Sequence, residues 1–141
     1  MDSFLPNFTK GSQRLQMAIK LNKALRYGII GFYVFAGAYH FINPDFYYAL
    51  IPSYLPYPSI INYAAGIAEI FLAIGVGITP LRSIAIKGLI LMLMAFIPSH
   101  VYFIQVGSCV NDSLCVDPWI AWVRLIVIHP ILILWAWKVK D

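Results

Sequence analysis

Charged residues are scarce in this 141-residue chain: only 11% are Asp, Glu, Lys or Arg, whereas 61% are hydrophobic, and the mean hydropathy is +0.78. Soluble domains are about 25% charged. The composition therefore excludes an ordinary soluble domain, and a disordered chain as well. Ten cations are also too few for a nucleic-acid footprint, although the formal net charge is +4. The class that remains is a polytopic membrane protein.

Other features are missing as well. No small-residue cleavage site follows the first apolar stretch, so we do not expect a cleaved signal peptide. No internal repeat and no low-complexity segment is evident in the sequence. Without an inverted repeat, four spans make a poor alternating-access machine unless the chain oligomerises, which disfavours a small-solute transporter.

Four stretches are long and apolar enough to cross a bilayer, which takes about 20 mostly apolar residues. The predicted spans are residues 25–42, 60–79, 83–106 and 119–137. The predicted fold class is therefore all-α, a polytopic four-transmembrane-helix bundle occupying residues 25–137. Residues 1–24 are expected to form an amphipathic segment in the cytoplasm or at the membrane surface, and residues 138–141 a short cytoplasmic tail.

The cations predict the orientation of this bundle. Nine of the ten flank the same ends of the predicted spans: Lys10, Arg14, Lys20, Lys23, Arg26, Arg82, Lys87, Lys138 and Lys140. The other two loops carry only the acids Asp45, Asp112 and Asp117. Because cytoplasmic loops are enriched in Lys and Arg, both termini are expected in the cytoplasm.

Five ionisable residues lie within the predicted spans: His40, Glu69, His100, Arg124 and His129. Such residues usually face the bundle interior and mark function. At about 1.5 Å per residue, the first four fall in the outer half of the bundle, one from each span, which predicts a convergent polar cluster. Glu69 and Arg124 are the natural ion pair. His129 lies five residues after Arg124, so it is expected on another helix face, in a structural role.

The cluster has two interpretations. The Glu69–Arg124 pair either fixes helix packing, or belongs to a centre that binds a proton, substrate or cofactor. In the second case His40 and His100 donate hydrogen bonds or exchange protons, and Tyr39 and Tyr102 line the entrance. His40 and His100 as haem ligands are disfavoured, because histidines on different helices have no diagnostic spacing.

The only two cysteines, Cys109 and Cys115, lie in the same outer loop. An extracytoplasmic loop is in an oxidising compartment, so a disulfide is the expected state. A redox-active dithiol is the alternative, but the spacing is not C-x-x-C. A zinc site would need ligands that the loop lacks, and no metal site is predicted.

Several motifs together resemble the DoxX/MauE-like family of small membrane proteins: Ala-Gly-Ala-Tyr-His-Phe-Ile-Asn-Pro at 36–44, Gly-Ile-Ala-Glu at 66–69, Phe-Ile-Pro at 96–98, and the late Arg124. The resemblance covers roughly residues 26–137. It implies a four-helix bundle in the bacterial inner membrane, linked to quinone-dependent oxidoreduction, to disulfide or cofactor maturation, or to membrane oxidoreductase complexes.

Together these features predict a quinone-linked or accessory redox subunit. No electron carrier is encoded by the sequence, so we expect a membrane or extracytoplasmic partner protein in addition to the lipid bilayer. A homo-oligomer is a further option. The alternative is a non-catalytic assembly, chaperone or structural subunit, in which the polar cluster is a packing device.

Overall fold

The computed structural model describes residues 5–110 and 114–140, with side chains from residue 11 onward. Asp112, the first four residues and Asp141, which belong to the predicted outer loop, N-terminal segment and tail, lie outside the described residues. The chain is mostly helical. Its elements are α1 (Leu5–Ile42), α2 (Pro44–Tyr48), α3 (Pro58–Gly77), α4 (Arg82–Gln105), β1 (Cys109–Val110), β2 (Leu114–Cys115), α5 (Pro118–Val123), a π-helical turn (Arg124–Ile128) and α6 (His129–Lys138).

Three helical segments are long and apolar enough to cross a membrane: Pro58–Gly77, Arg82–Gln105 and Pro118–Lys138. They agree within two residues with the predicted spans 60–79, 83–106 and 119–137. The predicted first span, 25–42, is helical but does not reach the same apolarity. Arg26, His40 and three tyrosines lower the mean hydropathy of that stretch.

The first helix is continuous over 38 residues, which corresponds to about 57 Å at ~1.5 Å per residue. The predicted N-terminal amphipathic segment and the predicted first span therefore lie on one continuous helix. Residues 11–21 are exposed on all sides, including Leu15, Met17 and Ile19. The helix stops at Ile42 because Pro44 follows, and proline restricts the residue before it and cannot continue the hydrogen-bond ladder.

Helices α1 and α3 approach each other most closely at two glycines. A Cβ atom on Gly37 would lie 2.7 Å from the Gly66 carbonyl oxygen, and one on Gly66 would lie 2.7 Å from the His40 Cβ. Both distances are too short for real atoms, so only glycine fits at either position. Small residues at a helix contact let the two backbones approach closely, and this contact aligns His40 beside α3.

The main apolar core lies towards the end of the bundle that holds the α3–α4 turn. Its buried members come from α1, α3, α4 and the C-terminal helix: Ile29, Tyr33, Ala73, Val76, Ala85, Ile86, Leu89, Leu93, Ala136 and Val139. Trp135 also packs there, donating its indole N–H to the Leu25 carbonyl at 3.0 Å. It therefore ties the last helix to α1.

The other end of the bundle is covered by a small β-hairpin. Strands β1 and β2 are antiparallel, with Cys109 opposite Cys115, and a disulfide joins these two residues. The predicted disulfide is therefore present. Hairpin residues Val110 and Leu114 pack on a second apolar cluster around the buried Phe103. The hairpin is thereby fixed over the ends of α4 and α5.

Candidate functional site

A cavity of about 400 Å³ lies between the helices at the hairpin end of the bundle. Every long helix contributes to its wall, as does the loop that holds α2. The wall is largely apolar, with rings such as Phe32, Phe96 and Phe103. The polar members of the wall are Tyr33, His40, Tyr47, Asn62, Glu69, Ser99, His100, Arg124 and His129. A mostly apolar cavity with a few convergent polar groups is the usual form of a small-molecule site.

The structure brings the four predicted cluster residues into this one cavity. His40 comes from α1, Glu69 from α3, His100 from α4 and Arg124 from the π-helical turn. Convergence from four helices follows from their similar depth along the bundle, which the sequence predicted. The role of these residues as ligand-binding or proton-relay groups stays a prediction.

The His40 ring is fixed by three contacts. Its Nδ1–H donates to the Asn62 Oδ1 at 2.6 Å, while the Asn62 amide donates to the His40 carbonyl at 2.9 Å. The ring also stacks on Tyr47, with centroids 3.6 Å apart. Because Nδ1 is used by Asn62, Nε2 is the nitrogen that faces the Glu69 Oε2, at 3.8 Å. His40 and Glu69 are therefore two buried titratable groups that face each other without a hydrogen bond between them.

The predicted Glu69–Arg124 ion pair is wrong. Among the described residues, Glu69 has its ion-pair contact with His40, and no Arg124 nitrogen lies within 4.0 Å of the Glu69 carboxylate. Depth along a helix does not fix the direction in which a side chain points. Arg124 instead has its guanidinium carbon 5.7 Å from the centre of the Phe103 ring, in cation–π geometry. Both residues still line the same cavity.

His129 was predicted to face away from Arg124, and this prediction is also wrong. The five residues Arg124–Ile128 form a π-helical turn, in which the His129 amide donates to the Arg124 carbonyl. An i to i+5 hydrogen bond places residues five apart on nearly the same face. His129 therefore lines the cavity beside Arg124, and its ring packs edge-on to His100 with centroids 4.9 Å apart. Its Nε2–H donates to the Leu93 carbonyl at 2.8 Å, which ties α6 to α4.

Tyr47 is the polar residue that the outer loop contributes to the cavity wall. Burial, reinforced by the Glu69 carboxylate, raises the pKa of Tyr47 to about 12. Its hydroxyl therefore stays protonated at neutral pH and remains a hydrogen-bond donor, with the Ala36 carbonyl as its acceptor at 3.5 Å. The sequence did not single out Tyr47 as a site residue.

The structure does not place the two tyrosines predicted at the entrance in the cavity wall. Tyr39 contacts the rings of Phe35, Phe46 and Tyr47 instead. Tyr102 is half-buried on α4, next to Phe103, which does line the cavity. Within residues 5–110 and 114–140, no group of three or more His, Cys, Asp or Glu side chains is arranged to hold a metal ion.

Two polar atoms at the cavity are buried without a hydrogen-bond partner among the described residues: the Tyr33 hydroxyl and the Glu69 Oε2. Tyr33 is 2% exposed and Glu69 5% exposed. Such atoms are rare, and each one calls for an explanation. Together with Arg124 they offer donors and acceptors to a small molecule whose body is apolar and whose edge is polar. Tyr33 and Asn62 are site residues that sequence reasoning missed.

No curated protein and no solved structure matches this chain. A family model described as "Domain of unknown function (DUF8561)" matches residues 29–140, which include every residue of the cavity wall. The match covers most of the chain, and the chain therefore belongs to the DUF8561 family.

Proposed function

We propose that this protein is a membrane-embedded subunit that binds a quinone headgroup in the cavity and works with a partner oxidoreductase. The observation that carries the proposal is the pair of unpartnered buried atoms, on Tyr33 and Glu69, in an otherwise apolar cavity of about 400 Å³. A quinone ring is flat and apolar with oxygens at its edge, so it suits aromatic walls and a few hydrogen-bond donors. Drug-sized ligands occupy cavities of ~300–1,000 Å³.

The proposed roles follow from the contacts of each residue. Arg124, which offers five N–H donors, holds a ligand oxygen, and the Tyr33 hydroxyl donates to a second polar atom. The His40–Glu69 pair delivers or takes up a proton at the ligand. Two electrons and two protons separate a quinone from its quinol. The electrons would come from, or pass to, a redox centre on the partner protein, and the second proton would come from, or pass to, water at the cavity entrance.

We also propose the membrane arrangement that this function needs. Residues 25–42 form a fourth span beside the three apolar helices, because their outward side chains are apolar or aromatic, as with Phe35 and Ile42. The distribution of Lys and Arg then places both termini in the cytoplasm, with the cavity towards the outer side. The motif resemblance supports the same assignment, a DoxX/MauE-like protein of the bacterial inner membrane.

The test is a titration of the full chain in nanodiscs with decylubiquinone, in which quenching of tryptophan fluorescence measures binding. Trp135 lies near the site, because its ring is 6.2 Å from that of Phe32, a residue of the cavity wall. We expect Arg124→Gln to weaken binding about tenfold, or ~1.4 kcal/mol, and Glu69→Gln to weaken it less.

Matched controls lie outside the cavity. Arg14→Gln removes an exposed cation and Asp117→Asn an exposed acid, and neither change should alter the affinity. Folding of each variant is checked by gel filtration and circular dichroism. A folded Arg124→Gln variant that binds as tightly as the wild type contradicts the proposal, as does a wild-type protein that does not bind decylubiquinone.

A non-catalytic assembly or structural subunit is the second candidate, and one observation favours it. The polar contacts of His40 and His129 each join two helices, α1 to α3 and α6 to α4. In that case the polar residues serve packing. Glu69→Gln should then lower the melting temperature, and no variant should affect binding of a quinone.

A further inference from the structure

A second cavity, of about 490 Å³, lies at the opposite end of the bundle from the quinone site proposed above. It is a groove between α1 and the α3–α4 turn. Three cations line it, Lys23, Arg26 and Arg82, and we call it the three-cation groove. Its other lining residues include Asn22, Thr79 and Tyr27, and none of the described residues that line it is acidic.

The three-cation groove has a fixed wall. Arg82, the first residue of α4, donates its Nε–H to the Val76 carbonyl at 3.1 Å and an Nη–H to the Thr79 hydroxyl at 3.3 Å. These bonds hold the guanidinium against the α3–α4 turn and use two of its five N–H donors. Lys23 and Arg26 are three residues apart on α1, so they project from one face of that helix towards the same groove.

Lys23 and Arg82 give the groove a positive wall, and no acidic residue is among its described lining residues, so the groove suits an anion. We infer that the three-cation groove binds a phosphate group, either on the headgroup of an anionic lipid or as a free phosphate. Phosphate suits a guanidinium, which matches its oxygens with paired N–H donors. Basic pockets between membrane helices at the cytoplasmic side are a recurrent form of lipid headgroup site.

The position of the groove favours the lipid as the source. It lies where the apolar helices α3 and α4 meet their turn, between Gly77 and Arg82, which is the depth of a headgroup if these helices cross the membrane. Ile19 and Ile30 extend the lining with apolar surface on which an acyl chain can rest. The exposed ring of Tyr27 is of the kind that favours the membrane interface.

The experiment is a binding measurement by native mass spectrometry on the full chain, delipidated in detergent, with added phosphatidylglycerol or phosphatidylcholine. We expect retention of phosphatidylglycerol over phosphatidylcholine, and about tenfold weaker retention in Lys23→Gln/Arg82→Gln. The matched control, Lys87→Gln/Lys138→Gln, removes the same charge from exposed positions outside the groove and should retain the lipid as the wild type does. Lys23→Gln alone serves if loss of the Arg82 bonds prevents folding, because Lys23 is exposed.

The comparison of the two double variants and of the two lipids tests whether the three-cation groove binds a phosphate group. Equal loss in the two double variants, or equal retention of the two lipids, overturns the inference. A second experiment adds inorganic phosphate in place of the lipid. If phosphate raises the melting temperature of the wild type but not of Lys23→Gln/Arg82→Gln, and if it displaces bound phosphatidylglycerol, the site holds free phosphate. Decylubiquinone binding by the groove variant should be unchanged, so failure here and failure of the quinone proposal are distinguishable.

Discussion

At the scale of single residues, His40 both joins α1 to α3 and faces the buried Glu69 carboxylate. Its backbone carbonyl and Nδ1 both bond to Asn62, while its Nε2 faces Glu69 across 3.8 Å. The sequence pointed to His40 and Glu69, because ionisable groups are costly in apolar stretches. It did not point to Asn62 or Tyr33, because neutral polar residues in a span carry no comparable energetic signal. Those two residues become visible only when burial and hydrogen bonds are known.

The glycine contact beneath His40 allows a residue-scale prediction. Gly66→Ala would force a methyl group to 2.7 Å from the His40 Cβ, and the two helices must then separate. We expect a loss of about 1–3 kcal/mol, typical of overpacking, and a melting temperature several degrees lower by differential scanning fluorimetry in detergent. Gly31→Ala is the matched control on α1, because nothing lies within 4 Å of its Cβ position. Equal melting temperatures for the two variants would contradict this account of the crossing.

At the scale of elements, the limits of the helices α3 and α4 and of the last span were predictable from the sequence to within two residues. Apolar length and Pro or Gly at the ends carry that information. The π-helical turn was not predictable, because helical spacing rules assume 3.6 residues per turn. Nor was the partner of Glu69, because sequence position gives depth in the bundle but not the direction of a side chain.

The π-helical turn makes an element-scale prediction of its own. Inserting an alanine after Val127 would place Arg124 and His129 six residues apart, which is about 120° around the helix at ~100° per residue. The two side chains then no longer share the cavity, and we expect decylubiquinone binding to fall at least as far as in Arg124→Gln. Deleting the exposed Val127 is the matched control, because it leaves the two residues four apart, on one face of an α-helix, and should keep binding. An insertion variant that is folded and binds as well as the wild type would show that the register of the turn is not needed.

At the scale of the whole molecule, the two ends of the bundle differ in chemistry. The hairpin end holds the polar cavity, the disulfide and the loop acids Asp45 and Asp117, whereas the other end holds the three-cation groove and the apolar core. This asymmetry fits the orientation proposed above, in which the basic groups face the cytoplasm. Whether residues 25–42 cross the membrane decides the topology, because it determines on which side of the membrane α1 begins.

Labelling of single cysteines with a membrane-impermeant maleimide tests this arrangement, in a Cys109→Ser/Cys115→Ser background in intact bacterial cells. If residues 25–42 cross the membrane, Gly11→Cys and Leu81→Cys are protected, while Tyr57→Cys in the outer loop is labelled; all three positions are exposed on the protein. With only three spans, Gly11→Cys and Tyr57→Cys lie on the same side and react alike. Labelling after cell lysis controls for reactivity, because every site that is exposed on the folded protein must then react. Equal labelling of Gly11→Cys and Tyr57→Cys in intact cells would therefore remove the fourth span, and with it the placement of the polar cavity within a four-span bundle.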